Sequence, residues 1–296
     1  MLRTTLRGTG VAIITPFNNS QEVDFLALGK LINFNIDKGV NYIVTLGTTG
    51  ETPVLTKEEK KEIIAFTYDQ VKRRVPVVVG IGGNNTAEVI EDVKSFDLSQ
   101  ATAVLSASPY YNKPSQEGLF QHYQAIAQAS SKPVILYNVP GRTGKNMEAH
   151  TTLRLATEVK NIAGIKEASG DMQQCMEILR DRPLDFLVVS GDDALALPQM
   201  ACGMDGVISV AANCFPKHFS QLIQKCLAND YSSASALNNS LLQGYKLLFS
   251  ENNPAGVKAF LYEMGMIENV LRLPCVAVSG ALQKEIKIYL QRLEEI

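Results

Sequence analysis

Lys166 stands inside the apolar run Ile162-Ala163-Gly164-Ile165-Lys166-Glu167-Ala168-Ser169. An ammonium taken out of water without a partner is costly, and the usual relief is a lowered pKa and loss of the charge. A neutral amine in a dry pocket is a nucleophile that can form a Schiff base with a ketone. Such chemistry needs groups that pass protons while water leaves and a carbon-bound proton is taken, and a grip on the substrate's charge. Ser108-Pro109-Tyr110-Tyr111-Asn112 and Tyr137-Asn138-Val139-Pro140-Gly141-Arg142-Thr143-Gly144 supply phenols and a guanidinium suited to a carboxylate. The turn Gly47-Thr48-Thr49-Gly50-Glu51 offers backbone N–H groups and hydroxyls to a small anion, without the GK[ST] ending of a phosphate-binding loop. Each stretch alone also has an ordinary reading. A strand-end lysine snorkels to solvent, a tyrosine packs with its hydroxyl in water, an arginine is a solvated charge, and a glycine-rich turn is only a turn. What turns them into a site is a fold that brings them to one mouth.

Short segments rich in Val, Ile, Leu and Ala recur along the first two-thirds of the chain, most of them closed by Gly, Pro or Asn. They cover Gly10 to Phe17, Tyr42 to Gly47, Pro76 to Gly82, Ala101 to Pro109, Pro133 to Pro140, Ile162 to Ser169, Phe186 to Asp193 and Gly206 to Asn213. Most are continuous apolar runs, as expected for parallel strands covered on both faces. Helix-like stretches lie between them, such as Thr56 to Lys72, whose Thr56-Lys57-Glu58-Glu59 has the spacing of a capping box. Eight strands alternating with helices predict an α/β fold, a (β/α)8 TIM barrel, against a doubly wound open sheet as the competitor. No GxGxxG follows the first strand, which removes the best support for the dinucleotide-binding open sheet. The barrel is expected over 1–216. A C-terminal helical extension of about three helices, broken near Asn252-Asn253-Pro254 and Leu273-Pro274, is expected over 217–296. In a barrel the strand carboxyl ends form the active face, and that is where the lysine, the tyrosines and the turn fall.

Composition narrows the function classes. The 296 residues are 46% hydrophobic and 20% charged, enough for a large core. A net charge of -2 and a pI near 6.0 give no basic field for nucleic acid. Met1 to Gly10 lacks the apolar core of a signal peptide, and no apolar run approaches the roughly 20 residues that span a bilayer. A cytoplasmic protein with no membrane partner is expected, so the Asn-x-Ser/Thr matches at Asn18, Asn84 and Asn238 carry little weight. Cys175, Cys202, Cys214, Cys226 and Cys275 are odd in number and lack CxxC pairing, which suits reduced, mostly buried thiols. His122, His150 and His218 show no metal-ligand spacing, and no metal is expected.

In order along the chain, the turn at Gly47–Glu51, Pro109-Tyr110-Tyr111-Asn112, the stretch from Tyr137 to Gly144 and Gly164-Ile165-Lys166-Glu167-Ala168 resemble the signatures of the dihydrodipicolinate synthase family. This family belongs to the pyruvate-dependent class I aldolases that include N-acetylneuraminate lyase. The likeness continues through Ser190-Gly191-Asp192-Asp193, Gly206-Val207-Ile208-Ser209-Val210 and Leu271-Arg272-Leu273-Pro274, so it spans essentially the whole chain. The resemblance implies that Lys166 forms an imine with pyruvate and that Tyr137 shuttles protons. Thr49 and Tyr111 would complete a hydroxyl relay, with Tyr111 reaching in from a neighbouring subunit. Thr48 and Thr49 would hold the pyruvate carboxylate, and Arg142 would receive the carboxylate of aspartate-4-semialdehyde. Gly191 and Ile208 would line the pocket. No cofactor beyond the imine is implied, and the implied assembly is a homotetramer, a dimer of dimers.

The residues alone support imine chemistry without choosing the aldehyde. Neuraminate lyase and sugar-acid aldolases share the turn, the tyrosine and the lysine, and a non-catalytic pyruvate- or amino-acid-binding barrel is a reading from another class. Asn84, Glu88 and Tyr110 match residues that contact the feedback inhibitor lysine in sensitive relatives. Pro53, Lys57 and Lys60 stand where those relatives carry a small residue and two histidines. Added cations beside a site for a cationic amino acid imply weak or absent inhibition.

Overall fold

The structure, a computed structural model, describes residues 1–294. Eight parallel strands form it: β1 Gly8–Ala12, β2 Tyr42–Thr45, β3 Val77–Gly80, β4 Ala103–Ala107, β5 Val134–Asn138, β6 Ile162–Glu167, β7 Leu187–Ser190 and β8 Gly206–Ser209. Each pairs with the next, and β1 closes on β8 through Gly8↔Gly206 to Val11↔Ser209. The helices between and after them are α1 Phe25–Asp37, α2 Lys57–Val71, α3 Thr86–Ser95, α4 Gln116–Ala129, α5 Ala149–Glu158, α6 Met172–Asp181, α7 Ala196–Ala201 and α8 Pro216–Leu227. After them come α9 Tyr231–Phe249, α10 Ala255–Glu263 and α11 Gly280–Glu294; single α-helical turns stand at Leu2–Thr5 and Pro140–Thr143, and 3-10 turns at Thr48–Gly50, Thr52–Val54 and Ala211–Asn213.

The expected barrel is therefore present, with shorter strands than the apolar runs. The run from Gly10 to Phe17 leaves the ladder after Ala12. Ile13 and Ile14 stay buried; the Ile13 N–H makes one more bond to β2, at the Val44 carbonyl, and the Ile14 N–H turns instead to Asn213 Oδ1. The capping box at Thr56 forms as read, with Thr56 Oγ1 accepting from the Glu59 amide while Glu59 accepts from that of Thr56. Over 217–296 about three helices were expected, whereas α8 to α11 make four. The additional break is at Asn229, in the left-handed region with φ of 60°, followed by Asp230, whose carboxylate caps α9 at the Ser233 amide. α8 packs on β1, and α9 to α11 pack on one another. Phe215, Phe260 and Tyr289 meet edge to face at 5.4–6.0 Å and tie the last helices to the barrel. A fully buried aromatic such as Phe260 contributes roughly 2 kcal/mol.

Both faces of the sheet are apolar, so the strands alternate between two cores. Val11, Ile43, Val79, Val104, Leu136, Ile165, Val188 and Val207 pack under the helices, while Tyr42, Val44, Val78, Leu105, Ile135, Tyr137, Val189 and Ile208 fill the interior. The interior is shaped by size. Tyr42 occupies the space opposite Gly10, where a Cβ would lie 2.2 Å from its ring, and Leu2 and Leu6 close the amino end. The inward set is Gly164 and Lys166 on β6 with Ala168 just after it, so the strand's period of two aims Lys166 into the barrel interior.

Candidate active site

At the carboxyl ends of the strands lies a cavity of about 690 Å³ whose wall includes Thr48, Thr49, Tyr137, Arg142, Lys166 and Gly191. Lys166 is only 4% exposed and enters no salt bridge among the described residues. Tyr137 is its direct partner in the β5–β6 register, and Lys166 Nζ lies 4.2 Å from the centre of the Tyr137 ring. On the other side Gly191 makes room: a Cβ there would stand 2.8 Å from Lys166 Cε and 3.2 Å from its Cγ. The amine thus reaches the cavity between a phenol and a glycine.

The hydroxyl-bearing turn is a single 3-10 turn, Thr48–Gly50, ending at Glu51 with φ of 55°. Thr52 Oγ1 donates to the Leu46 and Gly47 carbonyls, and Thr15 Oγ1 donates to the Gly50 carbonyl at 2.7 Å, which pins the turn from both sides. Asn253, on the segment before α10, donates Nδ2 to Thr49 Oγ1 at 3.1 Å, and its carbonyl accepts from Arg142 Nη2 at 3.0 Å. Arg142 sits on the exposed turn Pro140–Thr143 at the mouth. One wall therefore presents hydroxyls and the rim presents a cation, with the amine and phenol between.

Other expected residues lie elsewhere. Ile208 is fully buried in the interior cluster that also holds Tyr137, and Val210 is the β8-side residue that reaches the cavity. Tyr111 is 88% exposed on the loop after β4, with φ of 71°, and does not line the cavity of its own chain. Asn84 donates Nδ2 to the Tyr110 carbonyl at 3.3 Å, and Glu88 is in the first turn of α3, so the three expected inhibitor contacts are neighbours. Lys57 Nζ is 3.1 Å from Asp92 Oδ1 on that helix, one turn beyond Glu88, while Pro53 is exposed and Lys60 half-buried on α2.

Sequence reasoning missed three supports. Asn253 lies 204 positions from Thr49, beyond any local pattern. Glu167, next to Lys166 but facing outward, accepts from Asn138 Nδ2, Gln174 Nε2 and the Ser169 amide, locking β5 to β6. Burial pushes its carboxyl above the ordinary range even against those hydrogen bonds. Lys258, fully buried on α10, pairs with Glu51 at 2.5 Å. It stands in an apolar run, Ala255-Gly256-Val257-Lys258-Ala259-Phe260-Leu261, the same signal that singled out Lys166. Among the described residues no three or more His, Cys, Asp or Glu are grouped to hold a metal ion, and no helix is long and apolar enough to cross a membrane.

The profile of the Dihydrodipicolinate synthetase family matches residues 5–293. A 4-hydroxy-tetrahydrodipicolinate synthase from Parabacteroides distasonis is 49% identical over 288 residues, 97% of each chain. The dihydrodipicolinate synthase structure from Thermotoga maritima superposes with a TM-score of 0.96 at 38% identity, covering 99% of this chain and 100% of that one. The Acinetobacter baumannii enzyme, solved in complex with pyruvate, gives 0.95 at 41% identity, covering 99% and 100%. By sequence, by fold and by the residues gathered at the barrel mouth, the chain belongs to the dihydrodipicolinate synthetase family.

Proposed function

We propose that the chain is a 4-hydroxy-tetrahydrodipicolinate synthase that condenses pyruvate with L-aspartate-4-semialdehyde through a Schiff base on Lys166. The observation that carries this reading is the placement of Lys166 Nζ, buried and without an ion pair among the described residues, on a cavity wall beside Tyr137 and the Thr48-Thr49 turn. Nζ attacks C2 of pyruvate, and Tyr137, with Thr49 and Tyr111 in relay, moves the protons that let the former keto oxygen leave as water. The Thr48 and Thr49 hydroxyls and amides hold the carboxylate. The imine draws electrons from C3, whose proton is lost to give an enamine. Its C3 then bonds to the aldehyde carbon, whose oxygen takes up a proton and becomes the hydroxyl. The semialdehyde's amino group next adds to C2 and displaces Lys166, closing the ring and freeing the amine. One water is released overall, and every electron pair is supplied by the two substrates and Lys166, so the scheme requires no organic or metal cofactor.

Arg142 receives the second substrate's carboxylate; its planar fork suits that group and is held by the Asn253 carbonyl. The working assembly in this proposal is a cytoplasmic homotetramer built from dimers, in which Tyr111 of one subunit completes the site of its neighbour. The exposure and left-handed backbone of Tyr111 support that placement. Turnover of pyruvate with a panel of aldehydes tests the substrate assignment. Aspartate-4-semialdehyde is expected to be consumed with the highest kcat/KM, and a preference for N-acetylmannosamine or another sugar aldehyde would move the chain to a sugar-acid aldolase.

A further inference from the structure

We propose that the buried Glu51–Lys258 pair is a positioning device through which the C-terminal helices set the geometry of the Thr48-Thr49 turn. The inference rests on the reading that this turn holds the pyruvate carboxylate. Lys258 and Glu51 are 0% and 4% exposed, their Nζ and Oε1 are 2.5 Å apart, and Lys258 Nζ also donates to the Val270 carbonyl at 2.9 Å. The same Nζ lies 4.0 Å over the Phe17 ring.

Stability alone does not account for the pair. Buried ion pairs are often no more stabilising than apolar side chains of similar volume, and the stretch around Lys258, Ala255 to Leu261, is otherwise apolar. The connections explain it better. Glu51 closes the 3-10 turn in a left-handed conformation that a glutamate adopts only when held. Its second oxygen accepts from the Arg272 amide at 3.2 Å. The Arg272 guanidinium in turn binds Glu59 at 2.6 Å on α2, the helix that follows the turn, and stacks 4.3 Å from the Phe17 ring. Asn253 holds Thr49 from the same extension. The turn is therefore gripped at Thr49 and at Glu51, on either side of Gly50, by segments from one end of the chain. A displacement of Glu51 moves the hydroxyls two and three residues away. The two buried lysines divide the work: among the described residues Lys166 has no ionic partner and faces the cavity, whereas Lys258 is held by Glu51, the Val270 carbonyl and the Phe17 ring and faces the turn.

The test is the double variant Glu51→Gln with Lys258→Met, which removes both charges and leaves none buried alone. Folding is checked by circular dichroism and gel filtration. Expected is a pyruvate KM raised about tenfold or more, with kcat at saturating pyruvate within about threefold of wild type, the pattern of lost ground-state positioning. A folded double variant with wild-type KM overturns the proposal. If that variant does not fold, hydrogen exchange on the wild-type protein decides. Pyruvate is expected to slow amide exchange at 48–51 and also across 255–271, because coupling between two sites is reciprocal; protection confined to 48–51 overturns it. Wild-type protein is first treated with pyruvate and borohydride. No adduct on Lys166 overturns the reading of the site and the pair's role with it, whereas an adduct with unchanged KM in the double variant overturns the pair's role alone.

Discussion

Gly191→Ala is the smallest change that addresses the amine directly. The added Cβ would lie 2.8 Å from Lys166 Cε, 3.2 Å from its Cγ and 2.7 Å from the Ala168 Cβ. Non-bonded carbons sit best at about 3.5–4.0 Å, so Lys166 must retreat by roughly 0.7 Å. The backbone at Gly191 lies outside the left-handed region, so alanine brings crowding and no backbone strain. Crowding of this kind costs about 1–3 kcal/mol of stability, which a domain of this size withstands. Displacing a reacting atom by about 1 Å costs on the order of 100-fold, so a loss of roughly 30- to 100-fold in kcat/KM is expected, about 2–3 kcal/mol of transition-state stabilisation. Steady-state kinetics and the rate of borohydride trapping of pyruvate on Lys166 measure it. Gly280→Ala, at a position where an added Cβ meets nothing within 4 Å, is the control and is expected to behave as wild type. A folded Gly191→Ala enzyme that traps pyruvate at the wild-type rate refutes the argument that Gly191 makes room for the amine.

Three further outcomes are expected. Mixing and reassembling the inactive variants Tyr111→Phe and Lys166→Ala restores activity to about a quarter of wild type, since half of random dimers are mixed and one of their two sites is whole; no recovery would place Tyr111 in its own chain's site. Burial holds His122 down at about 4 against an ordinary 6.5, with Nδ1 2.8 Å from Thr86 Oγ1. Because the folded value lies below the unfolded one, its effect is absent above about pH 6.5 and stability is lost as pH falls from there toward 4. The urea-unfolding stability of wild type relative to His122→Gln should therefore drop by about 2 kcal/mol between pH 7 and pH 5, and a constant difference would contradict the assignment. Lysine is expected to inhibit weakly, because Lys57 lies along the α3 face that carries Glu88; an inhibition constant in the low micromolar range would contradict this.

Much of the site was readable because the barrel rule and the strand period act together. Thr48, Thr49, Tyr137, Arg142, Lys166 and Gly191 all follow or end strands, and all six line one cavity. Ile208 shows the limit of that rule, since two positions along the chain separate it, in the interior, from Val210 at the cavity. Strand ends were overextended at Ile13–Phe17 because burial continues after the hydrogen-bond ladder stops, and hydrophobicity reports only burial. Asn253 was invisible for a different reason: an asparagine in a turn before a helix is ordinary, and only the closed fold brings it to Thr49. Lys258 carried the same local signal as Lys166 and differs only in what surrounds it, which sequence does not reveal. Tyr111 is exposed and outside the cavity of its own chain, and in the proposed assembly its destination belongs to a second subunit, which no pattern within one chain encodes.

The most direct test of the central claim is borohydride trapping with peptide mass analysis. Protein incubated with pyruvate and reduced should carry one pyruvate-derived adduct on Lys166, and adding aspartate-4-semialdehyde before reduction should abolish it. An unmodified Lys166, or an adduct on another lysine, would contradict the account.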